Sequence, residues 1–145
     1  MFRHILIPTD GSPLAEAAAR EAIGLAKALG AKVTALTVVP RFHLLTYHTE
    51  VLEDTREEYE RHSAAHAERN LGVVRRAAEE EGVACQVQER RSDDIDQTIL
   101  EVARERGCDA IAMGSHGRRG LAGAILGSVT QRVLAHASIP VVVWH

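Results

Sequence analysis

Aromatic residues are scarce in this chain of 145 residues: one Trp, two Tyr and two Phe make up 3% of it. Proteins that bind single-stranded nucleic acid stack bases on exposed aromatic rings, and this chain has few rings to offer. Positive charge is not in excess either, since 17 Lys and Arg against 20 Asp and Glu give a net charge of −3. The composition therefore argues against nucleic acid and anionic membrane surfaces as partners.

Cysteines and long hydrophobic runs are also rare. Cys85 and Cys108 are isolated, and no Cys/His spacing of a zinc site occurs. We expect both to be small core or near-core residues with free thiols. No apolar run is long enough to cross a bilayer, and the first residues lack the apolar stretch of a signal peptide. These absences predict no membrane insertion and a reducing, cytosolic location.

What the chain does have is a regular alternation of strand-like and helix-like segments. Its 46% hydrophobic content is typical of a globular protein, and its length predicts one domain over residues 1–145. Short apolar runs predict strands and 3.6-residue periodicity predicts helices. The predicted strands span residues 5–7, 33–39, 83–88, 109–113 and 140–144, the predicted helices span 14–29, 50–81, 94–106 and 128–137, and a loop is expected over 41–49.

Capping residues mark several helix boundaries. Ser12 as N-cap and Pro13 at the first helical position predict the start of the first helix, and Gly30 predicts its end. Asp93 is the expected N-cap of the third helix. Asp96, three positions later, takes the place of a capping-box acid.

The order of elements predicts an α/β fold: a single doubly wound domain with a five-stranded parallel sheet, strand order 3-2-1-4-5, and helices on both faces. In such sheets ligands bind outside the carboxyl ends of the strands, where the winding reverses. Here the reversal falls between strands one and four. Pro8-Thr9-Asp10 follow strand one and Gly114-Ser115-His116-Gly117 follow strand four, so these two loops are expected to meet at the ligand site.

Glycines recur after strand four in the spacing Gly-x2-Gly-x9-Gly-Ser, at Gly114, Gly117 and Gly127, followed by Ser128. Glycine lets bare backbone N–H groups approach an anion, and the start of the next helix adds unpaired N–H groups at its positive end. The pattern predicts phosphate binding. The alternative is that the glycines only permit a turn. Neither the P-loop nor the dinucleotide-binding motif is present.

Polar residues near these loops each have two interpretations. Arg118 and Arg119 would contact phosphate or be solvated loop charges. Asp10 would bind an adenine amine or ribose hydroxyl, or help to hold Mg2+, or else cap the turn before Ser12. His116 would touch phosphate or act as a general acid or base, or else fill a turn position.

Two other constellations are not expected to carry chemistry. His62 and His66 are four residues apart on the long helix, which is a metal-binding spacing, but no third ligand is evident. A triad of Ser115, His116 and Asp10 is not expected, because adjacent chain positions rarely provide that geometry.

Several segments resemble the universal stress protein family, and the resemblance covers the whole chain. These segments are residues 5–12, 36–39, 113–117, 127–129 and 138–143. The family contains members that bind ATP and members that do not, and the glycine spacing marks the first group. This sequence has that spacing complete, so the resemblance implies that it binds ATP. We expect Mg2+ to accompany the nucleotide.

The resemblance also implies roles for individual residues. It implies that the adenosine side of the pocket is lined by Pro8, Thr9 and Asp10, and that adenine contacts Val38. It also implies that the ribose and phosphates contact Met113, Gly114, Gly117, Gly127, Ser128 and Val129. Variable positions of the same loop complete the candidate site: Ser115, His116 and Arg118.

The resemblance further implies a homodimer formed through the last strand, residues 140–144. The sequence supports this independently, because Val141-Val142-Val143 would be an apolar sheet edge without a protecting charge. The alternative is that the protein's own termini cover the edge.

Together these features predict a nucleotide-binding regulatory protein in which ATP reshapes the dimer and its contacts with an unknown protein partner. The alternative is a slow nucleotide hydrolase or nucleotidyl-transferring enzyme that uses Asp10 and Mg2+ at the same site. We expect little catalysis, since no second acid or lysine is evident there. A dimeric interaction protein with an empty site is a third interpretation, and the intact glycine spacing argues against it.

Overall fold

Strands and helices alternate along the chain in the computed structural model, which describes residues 1–43, 49–116 and 126–145, with the backbone alone at 49–54. The elements are β1 (His4–Pro8), α1 (Pro13–Leu29), β2 (Lys32–Val39), α2 (Thr49–Glu80), β3 (Cys85–Arg91), α3 (Ile95–Glu105), β4 (Ala110–Gly114), α4 (Ser128–His136) and β5 (Val141–Trp144).

The strands form one parallel sheet in the order β3-β2-β1-β4-β5, which confirms the predicted topology. Ile5 of β1 lies opposite Val33 of β2 on one side and Ala110 of β4 on the other. Because all strands run in the same direction, their carboxyl ends lie along one edge of the sheet. The loops after β1 and β4 are therefore neighbours at the point where the winding reverses.

Two apolar layers sandwich the sheet, because successive side chains of a strand point to opposite faces. Ile5 and Ile7 of β1 pack in the layer formed with α1 and α2. Leu6, between them, packs in the layer formed with α3 and α4. All three are at most 1% exposed, and burying each such side chain contributes about 1.5–3 kcal/mol.

The caps of α1 are those that the sequence predicts. The Ser12 hydroxyl accepts a hydrogen bond from the Ala15 N–H at 3.2 Å, and Pro13 is the first helical residue. Gly30 ends the helix with φ +67°, the left-handed conformation that favours glycine. Local sequence therefore determines both ends of this helix.

The long helix α2 extends past the carboxyl edge of the sheet. Its 32 residues span about 48 Å, whereas the eight residues of β2 span about 27 Å. The Tyr59 hydroxyl donates to the carbonyl of Pro40, the residue after β2, at 2.7 Å. The turns of α2 before Tyr59 therefore lie beyond the sheet edge, and the buried face of the helix follows at Ala67, Leu71, Val74 and Ala78.

The predicted bounds of the third strand were wrong. The strand covers Cys85–Arg91, three residues further than its apolar pattern indicates. Its last three residues are charged and lie on an edge strand, with Glu89 exposed and Arg90 and Arg91 partly buried, so they do not alternate as a core strand would. Arg90 forms an ion pair with Glu105 at 2.9 Å, which places its charge at the surface.

The predicted cap of α3 was also wrong. The N-cap is Asp94, and its side chain makes no capping hydrogen bond. The Asp93 carboxylate instead accepts hydrogen bonds from two residues that follow β2. The donors are the Arg41 N–H at 3.0 Å and His43 Nε2 at 2.6 Å. Asp96 does not complete a capping box and is 7% exposed.

Both cysteines are free, as predicted, with Cys108 buried and Cys85 half-buried. Burial raises the pKa of the Cys108 thiol to about 11 and also raises the pKa of Cys85. Both thiols are therefore neutral near pH 7 and poor nucleophiles. Within the described ranges, no helix has the length and apolar character that crossing a membrane requires.

Candidate functional site

The loop after β1 is hydrogen-bonded to β2 through both the N–H group and the carbonyl group of Thr9. The Thr9 N–H donates to the carbonyl of Leu36 at 2.8 Å. The Thr9 carbonyl accepts from the Thr37 hydroxyl at 2.7 Å, where both side chains are buried. Pro8, half-buried at the end of β1, therefore leads into a loop of fixed position.

Asp10 and Gly11 form a tight turn that leads into α1. The Asp10 Oδ1 accepts from the Ser12 N–H at 2.9 Å, and the Thr9 hydroxyl accepts from the Gly11 N–H at 3.2 Å. The turn interpretation of Asp10 is thus confirmed, while its role toward a ligand stays a prediction. Gly11 has φ +76°, the left-handed conformation that favours glycine, and a Cβ there would displace the end of the Asn70 side chain of α2.

Gly114 ends β4 in close contact with two helices. The Thr130 hydroxyl of α4 donates to the Gly114 carbonyl at 3.0 Å. A Cβ on Gly114 would lie 3.3 Å from Cγ and 3.5 Å from the carbonyl oxygen of Leu14 in α1. A Cβ at this position would require the Leu14 side chain to shift by a few tenths of an ångström. Met113, the residue before it, buries its side chain in the layer with α3 and α4, which leaves its backbone for the site.

Ser115 and His116 form a hydrogen-bonded pair after β4. Ser115 is 1% exposed, its N–H donates to the Trp144 carbonyl at 2.8 Å, and its hydroxyl lies 2.9 Å from His116 Nδ1. His116 Nε2 is fully enclosed and has no hydrogen-bond partner among the described residues. Neither ring nitrogen therefore bonds to Asp10, and the expectation that Ser115, His116 and Asp10 do not act as a triad stays a prediction.

The two ends of the glycine loop are joined to each other. The Gly127 N–H donates to the Ser115 carbonyl at 2.6 Å, and α4 begins at the next residue. Gly127 is the N-cap with φ −70° and ψ 159°, and as a glycine it has no side chain that could cap the helix. The first N–H groups of α4, at exposed Ser128 and half-buried Val129, have no acceptor within the helix and face the carboxyl edge.

The structure brings the described members of the candidate site to one edge of the sheet. β1 and its loop contribute Pro8, Thr9 and Asp10, and β2 contributes Val38. β4 and its loop contribute Met113, Gly114, Ser115 and His116. The start of α4 contributes Gly127, Ser128 and Val129. Gly117 and Arg118 lie outside the described residues. Val38 is half-buried against the layer of α3 and α4. Asp10 carries the formal charge among the described members.

Sequence reasoning missed the residues that hold these loops in place. Thr37 and Thr130 bind the carbonyls of Thr9 and Gly114, and Asn70 packs against Gly11. Thr37 could have been noticed as a polar residue within an apolar strand. Thr130 and Asn70 have no such signal, because their partners are distant in sequence.

Comparison with known proteins agrees with this geometry. The model described as "Universal stress protein family" matches residues 1–145. The chain belongs to the universal stress protein family. Universal stress protein MJ0531 of Methanocaldococcus jannaschii is 34% identical over 143 residues, which cover 99% of this chain and 82% of the relative. The solved universal stress protein UspA from Lactobacillus plantarum is similar with a TM-score of 0.79 and 28% identity, over 99% of this chain and 97% of that one.

Two more distant universal stress proteins were solved with nucleotides. One, in complex with cAMP, gives a TM-score of 0.72 at 22% identity, over 99% of this chain and 97% of that one. Another, from Archaeoglobus fulgidus in complex with dAMP, gives a TM-score of 0.63 at 20% identity, over 99% of this chain and 97% of that one. At these identities the likeness establishes the shared fold.

Proposed function

We propose that this universal stress protein binds an adenine nucleotide, ATP with Mg2+, at the carboxyl edge of its sheet. The observation that carries the proposal is the uncapped start of α4 beside the loops of β1 and β4. Its free N–H groups and positive dipole end attract phosphate. The complete glycine spacing from Gly114 to Ser128, and the nucleotides held by the two distant relatives, support the same conclusion.

His116 gives the proposed site a specific donor. When the Ser115 hydroxyl donates to Nδ1, the hydrogen of the neutral ring is on Nε2. That enclosed N–H then lacks an acceptor, which is costly by about 1–3 kcal/mol. An oxygen of the bound nucleotide would supply the acceptor once the residues that enclose this nitrogen move aside on binding. The Asp10 Oδ1 already accepts a hydrogen bond from the Ser12 N–H in its own turn. We propose that the Asp10 carboxylate also accepts a hydrogen bond from a ribose hydroxyl or from the adenine amine.

Mg2+ fits this site as the companion of the nucleotide. The described part of the chain contains no group of three or more His, Cys, Asp or Glu that could hold a metal ion. Phosphate oxygens would therefore supply most ligands, as Mg2+ prefers, with Asp10 as the nearby carboxylate. In this role the metal would neutralise phosphate charge.

We propose further that the protein acts as a nucleotide-dependent dimeric switch. The edge strand β5 would pair with the same strand of a second copy. The Ser115 N–H donates to the carbonyl of Trp144 in β5, so one hydrogen bond links the phosphate loop directly to that edge. Nucleotide binding at this loop would thus change the edge, and a protein partner would sense the change.

Calorimetric titration of nucleotide-stripped protein with Mg-ATP tests the binding site. We predict saturable binding, and at least a roughly tenfold loss of affinity in Gly127→Ala, equivalent to about 1.4 kcal/mol. The added methyl group would hold phosphate away from the helix start. The backbone of Gly127 is in a region open to any residue, so the variant should fold.

Gly24→Ala is the matched control, because a Cβ there meets open space on an exposed turn of α1. It should leave the affinity unchanged. Absence of binding in the wild-type protein, or equal affinity in Gly127→Ala, would refute the site. A phosphate-release assay on the same samples separates the functions: steady turnover would replace the switch by the slow hydrolase.

A further inference from the structure

A separate cleft of about 280 Å³ lies between the start of α3 and α4. Residues 93–97 line it on one side, and Val129 and Arg132 of α4 line it on the other. The lining therefore contains three carboxylates and one guanidinium, and it is acidic on balance. Of the candidate nucleotide-site residues that the structure describes, the cleft shares Val129 alone, so it is not that site.

Asp96 is the unusual member of this lining. It is 7% exposed, and its side chain forms no hydrogen bond or ion pair within the described ranges. It is not among the fully enclosed, unpartnered atoms of those ranges, so its carboxylate oxygens reach the open cleft. The adjacent Asp93 differs, because it already accepts from Arg41 and His43. These oxygens can therefore accept hydrogen bonds from a ligand that enters the cleft.

We propose that this cleft binds an alkylammonium group, from a free polyamine or from a lysine side chain of a partner protein. An ammonium group offers three charge-assisted N–H donors to the Asp96 carboxylate, whose oxygens open into the cleft. An anion would meet three carboxylates. A metal ion is disfavoured, because the described acidic residues provide no three-ligand group.

The shape and the walls of the cleft agree with this ligand. Its volume is slightly below the roughly 300–1,000 Å³ of pockets for drug-sized molecules, so a short chain fits. Ile95 and Val129 offer apolar surface to the methylene groups next to the ammonium. Arg132 carries the charge that opposes such a ligand, and this opposition makes the proposal testable in two directions.

The test is a titration of the ¹⁵N-labelled protein at low ionic strength, followed by NMR, with 1,4-diaminobutane and with N-acetyl-lysine amide as probes. We expect saturable shifts at the first turn of α3. Asp96→Asn should weaken binding at least about tenfold, whereas Asp94→Asn, which changes an exposed carboxylate of the same cleft, should weaken it about twofold. Arg132→Gln should tighten binding, because a like charge is removed.

Shifts with the diamine alone identify a polyamine, and shifts with the lysine amide identify a partner's side chain. Equal weakening in Asp96→Asn and Asp94→Asn would show general charge attraction and overturn the proposal. Weaker binding in Arg132→Gln, or no saturable shift with either probe, would overturn it as well. If Asp96→Asn loses its dispersed spectrum, the direction of the Arg132→Gln effect decides.

Discussion

His4 is a buried histidine at the start of β1, far along the strand from the candidate site. It is 5% exposed, and its Nε2 lies 2.7 Å from the hydroxyl of Thr34, which is fully buried in β2. Burial, followed by the charge of Lys32, lowers the pKa of His4 below its ordinary value of 6.5. The fold therefore favours the neutral imidazole.

This shift predicts a loss of stability in mild acid. The contribution of His4 is fully present above the unfolded pKa and is lost as the pH falls through the lower folded pKa. We predict that the wild-type protein loses more free energy of unfolding than His4→Gln between about pH 7.5 and about pH 5.5, where few carboxylates titrate. Urea unfolding at both values measures the difference. Equal losses in the two proteins would contradict the prediction.

At the scale of elements, β1 is held at its start by a carboxylate that precedes β4. Asp109 accepts from the Arg3 N–H at 2.9 and 3.1 Å and from the His4 N–H at 3.0 Å. Burial acts to raise the pKa of Asp109, but these backbone hydrogen bonds outweigh it, and the net shift is downward. The contact therefore fixes the alignment of β1 and β4 by charge-assisted bonds.

Removing that carboxylate should loosen the pairing of the two strands. We predict that Asp109→Ala lowers the free energy of unfolding by about 2 kcal/mol, because two backbone donors lose a charged acceptor. Asp109→Asn, which keeps one acceptor oxygen, should lose about half as much. Thermal or urea unfolding measures both. Glu101→Ala, on the exposed face of α3, is the control and should stay within about 0.5 kcal/mol of wild type. A similar small effect at Asp109 would refute the role.

Elements with strong local signals were predictable, and those that depend on distant contacts were not. Ser12 and Gly30 determine α1 from within their own segment. The choice between Asp93 and Asp94 as the cap of α3 depends on His43, which is 50 residues away in sequence. The loops of the candidate site follow from strand order alone, whereas the hydroxyl of Thr130 that holds Gly114 became visible with the fold.

At the scale of the whole molecule, the sheet has two edges of different chemistry. The edge strand β3 ends in the charged residues 89–91. The other edge, β5, carries no charge, and its four residues are all partly exposed. The Pro140 carbonyl accepts from the N–H of Ile111 in β4, and the Trp144 carbonyl accepts from the N–H of Ser115, the residue after β4. By the alternation of a parallel ladder, the N–H of Val142 faces β4 and the N–H of Val143 faces outward.

This alternation offers a matched pair of variants for the proposed dimer. Val143→Pro removes a donor of the open edge, so it should weaken dimerisation at least about tenfold. Val142→Pro removes a donor that faces β4, so it should lower stability more, by about 3 kcal/mol. Sedimentation equilibrium and urea unfolding measure the two effects. A monomeric wild-type protein, or an unchanged dimer in Val143→Pro, would place any assembly elsewhere.

The clamp between Asp109 and the first strand has a consequence for how the protein is made. Arg3 and Asp109 are 106 positions apart in the sequence. During synthesis on the ribosome, β1 therefore cannot pair with β4 until most of the chain has emerged. The strands β1, β2 and β3 can associate by residue 91. During that interval the apolar edge of β1 is open to strands of neighbouring nascent chains. Premature release before residue 109 would therefore yield a fragment prone to aggregation.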